Sequence, residues 1–260
     1  MIEVLKDKCT TCQLCINDCP SKIIRKDEDG FPCLAKRAEP FCIDCGHCFS
    51  ICPTGALKFK GEVSNKNTNN SIGIKAKELE ALIKQRRSIR HYKEDLVPKE
   101  TLESLLALTQ YTPSGSNARP VHFTIVSGKE TTNHLTDLCL EWVKENNKYT
   151  ELIPEMRRDN NLITCGAPHL IFAHAENDTE TTYIEDGIIA LSTIELAAQA
   201  YHIGACWGGY LKMITQQSNK IRKYLKIKND HKICGVIMLG YSKFQYRRLA
   251  PRKINPINWE

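Results

Sequence analysis

The chain of 260 residues lacks the sequence features of secreted and membrane proteins. Its first residues, Met1 to Asp7, contain no apolar core of a signal peptide. No apolar run approaches the roughly 18 residues that a membrane-spanning helix needs. We therefore expect a soluble, cytoplasmic protein in a reducing compartment, with no membrane partner.

Several common catalytic and nucleotide-binding motifs are also missing. There is no P-loop and no H-E-x-x-H motif, and the stretch from Gly204 to Gly209 does not fit the fingerprint G-x-G-x-x-G. The eight histidines are scattered, so we expect each to be a structural or surface residue. The formal net charge is +6, but the basic residues are dispersed, and we expect no nucleic-acid partner.

Cysteine, in contrast, is abundant. Eight of the thirteen cysteines form two copies of the run C-x-x-C-x-x-C-x-x-x-C-P. This spacing is typical of paired 4Fe-4S clusters, in which the fourth cysteine of each run ligates the other cluster. The predicted ligands are Cys9, Cys12, Cys15 and Cys52 for one cluster, and Cys42, Cys45, Cys48 and Cys19 for the second.

Zinc and disulfide bonds are the alternatives for such cysteines. Zinc sites usually separate two cysteine pairs by a longer segment, whereas three cysteines within seven positions suit a cubane better. Disulfides are disfavoured in a reducing compartment. The remaining cysteines are expected to pack as small apolar residues, and Cys206 is notable because it precedes a glycine turn. These residues are Cys33, Cys139, Cys165, Cys206 and Cys234.

Residues 1–60 resemble the bacterial ferredoxin with two 4Fe-4S clusters. The second cysteine run follows the first after 33 residues, which matches the internal repeat of that family. Sixty residues build only a small core, so the clusters are expected to stabilise the domain. The segment has nine basic and eight acidic residues. Because each cluster with four thiolates carries about −2, the loaded domain is expected to be anionic and to suit a basic partner.

The length of the chain requires a second domain. Residues 61–74 are polar and rich in asparagine, so we predict a linker there and a separate domain at 75–260. In that domain, segments with helical periodicity alternate with short apolar strands. The predicted helices are 77–87, one that begins at Pro98, 134–143, 183–201 and 216–224, and the predicted strands are 121–126, 168–173 and 233–239. This pattern predicts the α+β class, with a layered domain and a mixed sheet.

A basic cluster in this domain, Arg86-Arg87-Ser88-Ile89-Arg90, has the donors needed to bind a phosphate. Taken alone, such a charge run is more often a solvated face. Three further segments follow it: Thr112 to Pro120, Gly204 to Tyr210, and Pro251 to Lys253. In this order and spacing, residues 75–253 resemble the FMN-dependent nitroreductase family. That resemblance implies an α+β sandwich and an intertwined homodimer with FMN at the subunit interface.

The resemblance also implies roles for individual residues. The FMN phosphate and the pyrimidine edge of the flavin are expected to contact Arg86, Arg87, Ser88 and Arg90. Near the C-terminus, Arg252 and Lys253 are expected to contact the phosphate. Arg248 lies close to them in the sequence and could also bind it. The loop expected to reach the isoalloxazine from the partner subunit contains Pro113, Ser114, Gly115 and Asn117. Gly115 stands where many members have serine, and Arg119 where glutamine is common. Gly208 and Gly209 match the turn whose backbone N–H faces flavin N5.

Together the two resemblances imply an enzyme that passes electrons through two 4Fe-4S clusters to FMN, and from FMN to a nitro compound, quinone or similar organic acceptor. Reduced ferredoxin or NAD(P)H is the expected donor. No residue is assigned as a catalytic acid or base, since protons can come from solvent. The alternative is a non-catalytic electron-transfer or redox-sensing protein that serves a protein partner. Residues 141–161 are compatible with a lid over the flavin.

Overall fold

A computed structural model describes residues 2–63, 73–156, 161–177 and 182–260. Residues 64–72 of the predicted linker and 157–160 of the predicted lid therefore lie outside the described residues. The chain divides into two compact units. Unit 1 comprises Met1–Gly73 together with Ser116–Ala118, and unit 2 comprises Ile74–Gly115 and Arg119–Glu260. The proposed domain limits at 60 and 75 stay a prediction.

Unit 1 consists of short strands and single-turn helices around a small core. In chain order its elements are β1 (Ile2–Val4), α1 (Leu14–Asn17), β2 (Ile24–Lys26), β3 (Pro32–Leu34), α2 (His47–Ser50), β4 (Leu57–Phe59) and β5 (Glu62–Val63). Strand β4 pairs antiparallel with both β1 and β5, and β2 pairs antiparallel with β3. Its hydrophobic cluster contains the buried residues Cys19, Ile23, Ile24 and Ala38. Cys15, Ala56 and Leu57 are also buried. So small a core agrees with a stabilising role for metal clusters.

The repeat of 33 residues is present in the backbone of unit 1. Gln13, before α1, and Gly46, before α2, occupy equivalent positions, and both have a left-handed φ, of 66° and 74°. Lys22 and Gly55 form a second equivalent pair, with φ of 53° and 62°. Residues with a side chain rarely adopt this backbone conformation, so its recurrence shows that both halves need the same turns.

Unit 2 contains seven helices and four strands within its described residues. In chain order they are α3 (Ala76–Gln85), α4 (Lys99–Ala107), β6 (His122–Ser127), α5 (Lys129–Glu145), α6 (Ile153–Met156), β7 (His169–Glu176), α7 (Tyr183–Ala200), β8 (Gly204–Trp207), α8 (Gly209–Gln217), α9 (Asn219–Tyr224) and β9 (His231–Gly240). No helix of the described chain is long and apolar enough to cross a membrane.

The sheet of unit 2 has the strand order β6-β7-β9-β8, and the named strands pair antiparallel. Among the described residues, the parallel component of the predicted mixed sheet is a single bridge between Ser88 and Ala205. Strand β7 is buried along most of its length. Successive side chains of a strand point to opposite faces, and Ile171 and Phe172 accordingly belong to different hydrophobic clusters.

These two clusters form the layers of an α+β sandwich. One cluster joins the sheet to α5 and α8 and includes Leu135, Phe172 and Ile214. The other joins it to α4 and α7 and includes Leu105 and Leu191. Such an arrangement buries both faces of the sheet, and it confirms the predicted fold class.

Several elements differ from the predictions. The helix predicted at 216–224 is the end of α8 followed by α9, because Ser218 begins a new helix and its Oγ accepts the Ile221 N–H at 3.3 Å. Helix α5 begins before the predicted 134. Strand β8 was not predicted, since its small residues do not alternate. The apolar face predicted for α3 is not buried: Leu79 and Ile83 are exposed.

Candidate functional site

The first predicted set of cysteines lies around one cavity in unit 1. Cys9, Cys12, Cys15 and Cys52 all line it. Three of these residues belong to the first cysteine run and Cys52 belongs to the second, as crossed ligation requires. Four cysteines around one cavity supply the type and number of donors that a 4Fe-4S cluster needs, so the residues present fit this group.

The sulfur of Cys52 accepts hydrogen bonds from its own turn. The Ala56 N–H donates to Sγ over 3.2 Å, and the Thr54 hydroxyl lies 3.7 Å from Sγ. Burial alone would raise the pKa of the Cys52 thiol, but these hydrogen bonds outweigh it and lower that pKa. The turn therefore favours the thiolate, which is the form that binds iron.

In the second predicted set, Cys19 of the first run joins residues of the second run, and this ligation stays a prediction. Burial raises the pKa of Cys48 to about 11, and the neighbouring thiols of Cys45, Cys15 and Cys19 add to this shift. Cys19 is buried, and Cys42 and Cys48 of the second run pack against the hydrophobic cluster that contains it. Thiols with a raised pKa must lose their protons when they bind iron. Cluster loading at this set is therefore coupled to proton release.

In unit 2 the basic cluster is an extended segment beside β8. The Ile89 N–H donates to the Ala205 carbonyl at 2.9 Å, and Ser88 bridges to Ala205 in the parallel sense. Strand β8 leads directly into Gly208 and Gly209. The fold therefore brings together two predicted motifs that are more than a hundred residues apart in the sequence.

Arg86 is held by a buried carboxylate that sequence reasoning missed. Its Nη1 donates to Glu195 Oε1 at 2.8 Å, and the indole Nε1 of Trp207 donates to Glu195 Oε2 at 3.1 Å. Glu195 lies in the otherwise apolar middle of α7. An acidic residue within such an apolar stretch is the sequence signal that could have identified it.

Ser88 and Arg90 of the basic cluster act on the thiol of Cys206. Burial raises the pKa of the Cys206 thiol, against the positive charge of Arg90 and a hydrogen bond with Ser88. The guanidinium of Arg87 lies 5.2 Å from the centre of the Tyr246 ring. Arginines and a hydroxyl on one extended segment suit an anionic group, so the residues present fit a phosphate.

The two glycines after β8 differ in their hydrogen bonding. The Gly208 N–H donates to the Val236 carbonyl at 2.8 Å, so it is used within the fold. Gly209 is the first residue of α8, where the N–H has no acceptor within the helix. A Cβ added to Gly209 would meet no atom within 4 Å. This open backbone suits the close approach of a flat ligand.

Two backbone N–H groups of the predicted flavin loop donate hydrogen bonds to side chains. The Gly115 N–H donates to Asp186 Oδ1 at 3.1 Å, and the Arg119 N–H donates to Ser114 Oγ at 3.1 Å. Asp186 was not predicted, since an acidic residue in the first turn of a helix carries no distinctive signal. Asn117 lies in the segment Ser116–Ala118, which belongs to unit 1.

The remaining predicted residues are not gathered at this place. Arg252 and Lys253 are exposed in a C-terminal segment without helix or strand, and their contact with a phosphate stays a prediction. Of the side chains in the predicted lid, Trp142 and Met156 are buried in the core cluster beside α5, and Tyr149 packs against it.

A unit with two four-thiol sets, followed by an α+β sandwich with a basic segment and a glycine turn, defines an iron–sulfur redox protein. Residues 83–241 match the model of the nitroreductase family, and residues 8–57 match that of the 4Fe-4S dicluster domain. The first match covers more than half of the chain. The chain therefore belongs to the nitroreductase family, and its N-terminal part is a 4Fe-4S dicluster domain.

Known proteins resemble each part. The chain is 26% identical over 200 residues to nitroreductase NfnB of Mycolicibacterium smegmatis, a match that covers 64% of this chain and 84% of that protein. It is 35% identical over 83 residues to NADH-quinone oxidoreductase subunit I 2 of Geobacter metallireducens, covering 29% of this chain and 63% of that protein. The solved structure of a nitroreductase with bound FMN from Bacteroides fragilis has a TM-score of 0.59 and 24% identity, covering 70% of this chain and 99% of the other. These findings confirm the predicted fusion and make the chain a redox enzyme.

Proposed function

We propose that the protein receives electrons through two 4Fe-4S clusters in unit 1 and uses FMN in unit 2 to reduce a nitro compound, a quinone or a similar organic acceptor. The observation that carries this proposal is that one chain joins a dicluster domain to a domain of the nitroreductase family. Bound FMN exchanges electrons singly or in pairs, so it suits a position between one-electron clusters and a two-electron acceptor.

The basic segment beside β8 binds the anionic end of FMN in this proposal. Ser88 and Arg90 donate to the phosphate and the pyrimidine edge, and Arg87 adds a second guanidinium. Arg86 contributes a further guanidinium, which donates to Glu195 Oε1 at 2.8 Å. This hydrogen bond limits rotation of the Arg86 side chain before FMN binds. Arg252 and Lys253 add charge from the C-terminal segment. Guanidinium groups held in one orientation present paired N–H donors that match the geometry of a phosphate.

The glycine turn and the loop then orient the flavin ring. The Gly209 N–H is the better placed of the two glycine donors to face flavin N5, because the Gly208 N–H is bonded to Val236. Pro113, Ser114, Gly115 and Asn117 reach the flavin from a second copy of the chain, so the functional form is a homodimer. The electron donor is reduced ferredoxin or NAD(P)H. No side chain is assigned to proton transfer.

Rapid mixing of the reduced protein with an acceptor tests this function. The full-length protein, loaded with iron and FMN, is reduced without oxygen and mixed with a nitroaromatic compound while flavin and cluster absorbance are recorded. We expect the flavin to be reoxidised before the clusters, because it is the site of contact with the acceptor. Cys12→Ala should slow re-reduction of the flavin by reduced ferredoxin, whereas Cys33→Ala, outside both ligand sets, should not.

The same experiment separates the two candidate classes. Reoxidation of the clusters ahead of the flavin, or no turnover with nitro compounds, quinones and halogenated phenols, would contradict the enzyme and favour a non-catalytic electron-transfer or redox-sensing role.

A second measurement concerns the flavin site itself. Arg90→Gln should weaken FMN binding by about tenfold, as the loss of a charge-assisted hydrogen bond predicts. Lys99→Gln, an exposed cation on α4, is the matched control.

A further inference from the structure

Asp186 is a buried carboxylate with an incomplete set of partners. It lies in the first turn of α7 and is 4% exposed. Its Oδ1 accepts the Gly115 N–H and the Thr182 hydroxyl, each at 3.1 Å. Its Oδ2 is buried and has no hydrogen-bond partner among the residues that the structure describes. Burying a carboxylate in this way is costly, so a role beyond helix stability is expected for it.

The contact between this carboxylate and the loop depends on a glycine. A Cβ added to Gly115 would lie 2.3 Å from Thr182 Oγ1, a distance that real side chains do not tolerate. Only a residue without a side chain lets the backbone N–H approach Asp186 while Thr182 keeps its own hydrogen bond to the same oxygen. Gly115, Thr182 and Asp186 therefore form one contact, in which each member sets the position of the others.

The same carboxylate borders a cavity of about 150 Å³ in unit 2. Pro113, Ser114 and Arg119, from the two ends of the loop, line this cavity together with Asp186. The loop is also closed on itself, because the Arg119 N–H donates to Ser114 Oγ. A displacement of Gly115 would therefore move Pro113 and Ser114, the residues proposed to reach the flavin.

We propose that Asp186 is a positioning residue for the flavin loop. It acts through Gly115 and Thr182, and it sets where Pro113 and Ser114 stand relative to the isoalloxazine ring without touching the ring itself. This inference rests on the proposed function, since it takes the loop to contact FMN. Positioning groups of this kind commonly change ligand affinity by about tenfold or more when they are removed.

A role in helix stability alone predicts a different result. A carboxylate in the first turn favours a helix through the dipole, and the neighbouring Glu185 supplies one as well. Glu185 is exposed. The variant Glu185→Ala therefore removes a first-turn carboxylate and leaves the contact with Gly115 in place. It is the matched control for Asp186→Ala.

The experiment measures FMN release and amide exchange in the full-length protein loaded with FMN and iron. Asp186→Ala should release FMN about tenfold faster than the unchanged protein and should lose hydrogen-exchange protection at the Gly115 amide. Asp186→Asn keeps an acceptor oxygen for that amide, so it should restore both properties. Glu185→Ala should leave both unchanged. Equal release rates and equal Gly115 protection in Asp186→Ala would overturn the inference.

Two further outcomes keep the test decisive. If the unchanged protein holds no FMN, the proposed function fails, and loss of Gly115 protection in Asp186→Ala still supports the positioning contact.

If Asp186→Ala does not fold, Gly115→Ala replaces it, because the added Cβ collides with Thr182. It should speed FMN release. Gly115→Ala with Thr182→Ala should reverse that effect in part, because the collision is removed but the hydrogen bond from Thr182 to Asp186 is lost. Failure of the second change to reverse the first would contradict the coupled contact.

Discussion

The buried thiol of Cys19 lies near Cys48, a residue of the other cysteine run. We expect Cys19→Ala to remove the same electron paramagnetic resonance signal as Cys45→Ala, because both residues ligate the second cluster. Cys52→Ala should instead remove the signal that Cys12→Ala removes. Comparing the four spectra requires no prior assignment of either signal.

A control and a contrary outcome complete this prediction. Cys33→Ala should retain both signals and the full iron content, because Cys33 lies outside both ligand sets. Loss of one common signal in Cys19→Ala and Cys12→Ala would show that each run ligates its own cluster, contrary to the crossed assignment.

A buried histidine pair predicts a dependence of stability on pH. His174 Nδ1 and His231 Nδ1 are 2.8 Å apart. Burial, with His231, His122 and Arg222 nearby, lowers the pKa of His174 from its ordinary value to about 4. As the pH falls from about 6.5, the unfolded chain takes up a proton that the folded chain resists. The free energy of unfolding should therefore decrease toward pH 4, by about 1–2 kcal/mol after allowance for solvent screening.

Tryptophan fluorescence during denaturant unfolding measures this effect, since all three tryptophans lie in unit 2. His174→Gln should make the stability less dependent on pH between 7 and 5. His134→Gln, at an exposed position of α5, should not. An unchanged pH dependence in His174→Gln would show that the pair does not control acid stability.

Residues differ in how far their roles can be read from the sequence. The grouping of Cys9, Cys12, Cys15 and Cys52 around one cavity was predictable from the spacing of the cysteine runs, and their role as ligands stays a prediction. Glu195 was not, since its partners Arg86 and Trp207 meet it only in the folded chain. Asp186 was missed for the same reason: its contact with Gly115 joins positions 71 residues apart.

The packing of α7 on β9 gives a prediction about a helical glycine. A Cβ added to Gly187 would lie 2.2 Å from the Cβ of Cys234. In an open helix, Gly→Ala stabilises by about 0.5–1 kcal/mol, but overpacking costs about 1–3 kcal/mol. Gly187→Ala should therefore lower the free energy of unfolding, measured by denaturant titration. Ser192→Ala, at an exposed position of the same helix, should change it by less than about 0.5 kcal/mol, and equal stability of both variants would contradict this packing.

Long elements were predicted better than short ones. The helix α7 and the strands β7 and β9 were identified because sustained apolar patterns of a definite period specify them. The strand β8, Gly204–Trp207, was missed because it is short and its first residues are small. The division between α8 and α9 depends on a single capping serine, Ser218, within a sequence that otherwise favours helix.

Removal of iron should affect the two units differently. The hydrophobic cluster of unit 1 contains four buried residues, so chelation of the iron–sulfur clusters should unfold this unit. Unit 2 has two extensive clusters of its own, and its tryptophan transition should stay unchanged. Circular dichroism and tryptophan fluorescence, recorded before and after chelation, measure both effects. Reconstitution with iron and sulfide is the control, and a matching loss of the tryptophan transition would contradict independent stability.

The placement of Cys52 on the wall of a cavity formed by the first cysteine run has a consequence for ancestry. The 33-residue repeat suggests two copies of one segment, and in the predicted crossed ligation each copy supplies a thiol to its neighbour's cluster. A single copy on its own would have three thiols for a cluster and one left over. With crossed ligation, the loss of either half would remove ligands from both clusters. A substitution in one half would therefore also affect the cluster of the other half.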